Sequence, residues 1–74
     1  MPIAAAPLNK PVRVIKILAD DQTKKHLESL GIFVDAEVTV LSSNDGNVIC
    51  KIKDGRLALD KGIALKILIS GTVA

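Results

Sequence analysis

The chain has 74 residues, 49% of them apolar and 24% charged, with a formal net charge of +2. Such a chain makes one domain around one core, and area scaling lets it bury roughly 60% of its unfolded surface, enough to fold without staples. A single cysteine excludes an intramolecular disulfide or a multi-thiolate metal site within the chain and fits a reducing compartment, while the ten scattered Lys and Arg residues form no basic block.

Residues 1–8 are apolar but lack a basic flank and are broken by Pro2 and Pro7. They do not read as a signal peptide. No stretch approaches the roughly 20 apolar residues of a membrane-crossing helix, so no membrane insertion is expected and the cytoplasm is the expected location. We take 1–74 as one domain, with 1–11 as an N-terminal segment and 12–70 as the core.

Residues 12–18, Val-Arg-Val-Ile-Lys-Ile-Leu, are β-branched and follow Pro11, which suits the start of a strand. The apolar alternation slips between Val14 and Ile15, predicting a bulge or burial on both faces. Asp20 and Asp21 offer capping oxygens for a helix over about 21–30. Thr23, Leu27 and Leu30 share its inner face, and Gly31 is placed for a left-handed C-terminal cap.

Beyond Gly31 the period becomes two. Ala36, Val38 and Val40 mark one face of a strand, and Val48, Cys50 and Ile52 one face of the next. The polar stretch 42–46 reads as the loop joining them, and Asp54-Gly55 as a tight turn into a strand over 56–59. After a short connection over 60–64, a last strand is expected at 65–70. By the same alternation Ile49 and Leu68 face away from the core. Short strands with one short helix between the first and second core strands indicate a mainly β fold, a small barrel, and argue against a doubly wound sheet.

Reactive side chains are few. His26 has no second ligand at i+3 or i+4, so a structural or interface role is the simpler one. Cys50 alternates with core valines and reads as a small apolar residue. Asp20, Asp21, Asp45, Asp54 and Asp60 each sit where a turn or a helix cap uses them. No Gly-rich loop ends in Gly-Lys-Ser/Thr, so nucleotide binding is not expected. Phe33 is the sole aromatic residue, which leaves no stacking platform for single-stranded nucleic acid, although Lys51, Lys53 and Arg56 cluster near the second hairpin. No catalytic residue, metal ligand or cofactor site is expected.

The stretch Leu27-Glu-Ser-Leu-Gly-Ile-Phe-Val-Asp-Ala-Glu-Val-Thr-Val-Leu41, followed by Gly55-Arg-Leu-Ala-Leu59 and Ala64-Leu-Lys-Ile67, resembles the FeoA family of ferrous iron transport accessory proteins. The order of elements matches from about residue 12 to 69. Asp35 stands where the family commonly has Gly, and His26 where it often has Arg. The resemblance implies an SH3-like barrel acting in the cytoplasm with the membrane GTPase transporter FeoB, by protein–protein contact and without catalysis. The implied docking surface is the helix and the turn after it, with Leu27, Leu30, Gly31 and Ile32 as candidates; core packing is the simpler role for the leucines. No nucleic acid is expected as a partner, homo-oligomerisation stays open, and ferrous iron binding by the monomer is expected to be weak or absent. The same domain also resembles the C-terminal domain of iron-dependent repressors, which implies a regulatory interaction module instead. A small RNA-binding barrel using Lys51, Lys53 and Arg56 is a further alternative.

Overall fold

In a computed structural model, residues 1–53 and 55–72 are described. A 3-10 turn over Ile3–Ala5 precedes strand β1 (Pro11–Ile17), helix α1 (Asp21–Ser29), strands β2 (Glu37–Asn44), β3 (Asn47–Ile52) and β4 (Gly55–Leu59), a helical turn α2 (Lys61–Ala64) and strand β5 (Ile67–Thr72). The strands form one antiparallel sheet in the order β4-β3-β2-β1-β5. It curls around a single apolar core to which every strand contributes, with no polar side chain buried among the described residues. No helix among the described residues is long and apolar enough to cross a membrane.

Strand β1 carries the slip seen in its sequence. Val12, Val14 and Ile17 are buried while Ile15 and Lys16 are exposed. The ladder to β5 shifts register on both sides of Val14, so the expected bulge is present. The bend lets one strand pair with β2 through its first half and with β5 along its length.

The hairpins run closer to their turns than the polar residues suggest. Strand β2 continues through Ser42 and Ser43 to Asn44, which pairs with Asn47. The turn is only Asp45-Gly46, both at positive φ (53° and 86°), a two-residue geometry whose twist matches the flanking strands. The loop expected at 42–46 is therefore mostly strand. Gly55 already pairs with Ile52 and opens β4, so the strand expected from 56 begins one residue earlier; Asp54, the other residue of the expected turn, lies outside the described residues.

The connection at 60–64 is a second helical element rather than a plain loop. The Asp60 carboxylate accepts the Ile63 amide at 2.9 Å, and the Asn47 side chain accepts the Lys61 amide at 3.0 Å. This delays the last strand to Ile67–Thr72 and carries Ala64 into the core.

The N-terminal segment belongs to the core instead of preceding it. Ile3 is fully buried and Ala6 nearly so. Pro2 bridges to Leu68, and Met1 exchanges backbone hydrogen bonds with Ile69 at 2.7 and 3.1 Å. Proline suits this place because it has no N–H to lend to a central ladder. The segment thus lies along the outer edge of β5.

Candidate functional site

Helix α1 begins at Asp20, whose carboxylate accepts the Thr23 amide at 2.8 Å. Hydrogen bonding to Thr23, through its side chain first and its backbone amide second, holds the Asp20 carboxyl below the ordinary range for aspartate. The helix ends in paired backbone bonds from Ile32 to the Leu27 carbonyl (2.8 Å) and from Gly31 to the Glu28 carbonyl (3.0 Å). This is a Schellman closure, with Gly31 at φ 100° supplying the left-handed step.

A hydrophobic contact usually accompanies that closure between the residues standing where Leu27 and Ile32 stand, and both are buried here. The four expected docking residues thus differ in burial. Leu27 and Ile32 are turned inward to hold the helix on the sheet, while Leu30 and Gly31 remain partly exposed.

The chain then makes a tight turn, with the Ala36 amide donating to the Phe33 carbonyl at 3.0 Å. Asp35 occupies its third position at φ 76°, the feature of a type II turn that favours Gly or Asn. Three bonds anchor the turn to β1. The Asp35 amide donates to the Val14 carbonyl (2.7 Å), the Val14 amide to the Ala36 carbonyl (2.9 Å), and the Arg13 guanidinium to the Asp35 carbonyl (2.9 Å). The result is a fixed platform that holds Phe33 and Val34 outward, 47% and 52% exposed.

Phe33 is shared by two open grooves. One, of about 550 Å³, runs from the turn to the end of β3 past Gly31, Asp35, Glu37, Lys51 and Ile52. The other, of about 330 Å³, lies on the helix side with Ile15, Lys24, Glu28 and Val34. Ile15, Phe33 and Val34 form a joined apolar surface rimmed by charges of both signs. A concave apolar surface with a charged rim fits a protein partner better than it fits a polyanion. Sequence periodicity misses Phe33 and Val34 because they sit in a turn, where period carries no information. The available signal is the apolar run Ile32-Phe33-Val34 in a segment too short to turn every side chain inward.

The other singled-out residues do not converge on a reaction. His26 is exposed on α1, and its carbonyl accepts the Ser29 hydroxyl at 2.6 Å. Cys50 is fully buried, and desolvation pushes its thiol up from the usual value, which disfavours the thiolate. Asp20 and Asp60 cap helices, while Asp35 and Asp45 occupy left-handed turn positions. No group of three or more His, Cys, Asp or Glu side chains among the described residues is placed to hold a metal ion. Lys51 and Arg56 stand directly opposite each other on β3 and β4, and Lys51 and Lys53 share their groove with Asp35 and Glu37.

The FeoA domain profile matches residues 1–71. A protein of Methanocaldococcus jannaschii, named on inference Fe(2+) transport protein A, is 32% identical over 68 residues, which span 92% of this chain and 83% of that protein. A crystal structure of an iron uptake regulatory protein, FeoA, superposes with a TM-score of 0.83 at 24% identity and 93% coverage of both chains. The solution structure of iron(II) transport protein A from Clostridium thermocellum gives a TM-score of 0.83 at 19% identity, over 96% of this chain and 45% of that one. A manganese-dependent transcriptional repressor also gives 0.83, at 22% identity, over 99% of this chain and 41% of its own length. The three structures establish the SH3-like fold, and the profile and the archaeal relative go further: the chain belongs to the FeoA family.

Proposed function

We propose that this chain is an accessory protein of ferrous iron uptake, acting in the cytoplasm by docking on a membrane GTPase transporter of the FeoB type and modulating it without catalysis of its own. The match to the FeoA domain over residues 1–71 carries this reading, and the name of the archaeal relative supports it. The surface around Phe33, with Gly31 in the same groove and the partly exposed Leu30 preceding it in the chain, is the contact face in this proposal. A barrel that binds one nucleotide state of a GTPase better than another shifts that equilibrium by its differential affinity, and needs no reactive group to do so. A regulatory interaction module is the second reading, favoured by the fold shared with the manganese-dependent repressor. RNA binding is disfavoured because Asp35 and Glu37 line the same groove as Lys51 and Lys53 and would repel phosphate.

A pull-down of the tagged chain from extract, with GDP or a non-hydrolysable GTP analogue added, tests the first reading. Recovery of the transporter, stronger with one nucleotide than with the other, is expected. Failure to recover it under either condition overturns the docking role.

A further inference from the structure

The first residues of the chain are held by elements distant in sequence and joined to the rest by a short connection. Ile3 is fully buried, and the 3-10 turn around it lies against α2 and against strands β2, β3 and β5. Pro2 bridges to Leu68, Met1 is hydrogen-bonded to Ile69, and the Ser43 hydroxyl donates to the Ala4 carbonyl at 3.3 Å. All of these partners come after α1, so nothing in the contact itself requires the segment and the barrel to belong to one chain. The connection is residues 7–10, Pro-Leu-Asn-Lys, which lead directly into Pro11 at the start of β1. Its prolines bias it toward extended backbone: Ala6, ahead of Pro7, sits at φ -65° and ψ 147°, and Lys10, ahead of Pro11, is under the same steric bias. Asn9 alone among the four is left-handed, at φ 62°, and its amide is pinned to the Val40 carbonyl at 2.7 Å. The reversal that folds the segment back onto its own barrel rests on this one non-glycine residue.

We infer that residues 1–6 exchange between two copies of this chain, each segment seating Ile3 in the core of the other copy while the connection over 7–10 straightens at Asn9. The occupant of the β5 edge stays the one seen in the structure, supplied by the second copy. Every contact of the segment is kept in the exchanged pair, and only the link changes. Straightening gives up the Asn9–Val40 bond and releases two left-handed residues per pair, and short connections under strain are those that favour exchange. Against it stands the effective concentration of a segment on a short tether, which lies in the millimolar range. The single chain therefore dominates in dilute solution, and the exchanged pair appears toward millimolar concentration. Each copy gives one segment and accepts one, so the pair is closed and stops at a dimer.

Sedimentation of the full chain up to millimolar concentration, with each sample refolded from denaturant at its final concentration, tests the inference for the parent, Asn9→Gly and Asn9→Val. Asn9 is exposed, so neither substitution touches the core. The parent is expected to pass from monomer to dimer as concentration rises. Glycine turns left-handed without strain and a β-branched valine resists it, so Asn9→Val is expected to dimerise at least about tenfold more tightly than Asn9→Gly. The exchange itself is read from Pro2→Cys combined with Leu68→Cys, two positions already bridged in the sheet, oxidised after refolding with Cys50 buried out of reach. On a denaturing gel the link is expected within single chains in dilute samples and between two chains in the dimer. A parent that stays monomeric at millimolar concentration overturns the inference. So does a dimer whose links all fall within single chains, or one equally stable in Asn9→Gly and Asn9→Val.

Discussion

At Asp35 and Gly31 the backbone turns left-handed within five residues, and the two positions differ in what they tolerate. A Cβ at Gly31 would come within 3.0 Å of the Ile52 side chain at φ 100°. Gly31→Ala is therefore expected to lower stability by about 1–2 kcal/mol, the cost of a left-handed non-glycine residue, read from denaturant unfolding. Asp35 already bears such a conformation. Asp35→Gly is expected to lie within about 0.5 kcal/mol of the parent, since relief of strain opposes the larger entropy of an unfolded glycine. Asp35→Val is expected to lose about 1–2 kcal/mol by the same steric argument. If valine proved as stable as glycine there, the turn geometry given for Phe33–Ala36 would be wrong.

Asp20 gives a pH dependence of known sign. Its carboxyl is held below the ordinary range by hydrogen bonding to Thr23, side chain first and backbone amide second, so folding favours the ionised form. That stability is complete above the unfolded carboxylate range and is lost as the pH falls through the lowered folded value. Asp20→Asn keeps an acceptor for the helix start but does not titrate. The stability difference between parent and variant is expected to be constant near neutrality and to shrink in acid. A difference independent of pH would remove the capping account.

Among the elements, α1, β2 and β3 were legible in sequence because period and burial agree there. Val38, Val40, Val48 and Cys50 all face the core, and Ile49 faces solvent. What could not be read was set by partners distant in sequence. Ser42 and Ser43 look like loop residues, yet they are strand because Val48 and Ile49 pair with them. Lys61 begins a helical turn because Asn47, fourteen residues earlier, accepts its amide. The same limit hid the N-terminal segment, whose isolated apolar residues show no period. Ile3 is fully buried, so Ile3→Ala is expected to cost about 2–4 kcal/mol, a value proper to a core position. A loss under about 0.5 kcal/mol would return residues 1–11 to the status of a tail.

At the scale of the whole molecule, the fold emerges from the chain order of its elements, and the proposed contact face only in part. Leu27 and Ile32 have the composition of contact residues, but the Schellman closure uses their side chains inside. Phe33 and Val34, one step further along, are what the turn leaves outside. The proposed contact face thus rests on an apolar surface with a mixed charged rim, while the function itself rests on the family match. An exposed aromatic side chain seated between two grooves is the kind of residue that dominates a protein interface, at about 2 kcal/mol or more when truncated.

The most direct measurement is calorimetric titration of the purified chain into the GTPase domain of the transporter, for the parent and for Phe33→Ser with Val34→Ser. Saturable binding that weakens by at least about tenfold in the double variant, with the unfolding curve nearly unchanged, is the predicted result. Equal affinity for parent and variant would contradict the assigned face, and no heat of binding in any nucleotide state would contradict the docking role itself.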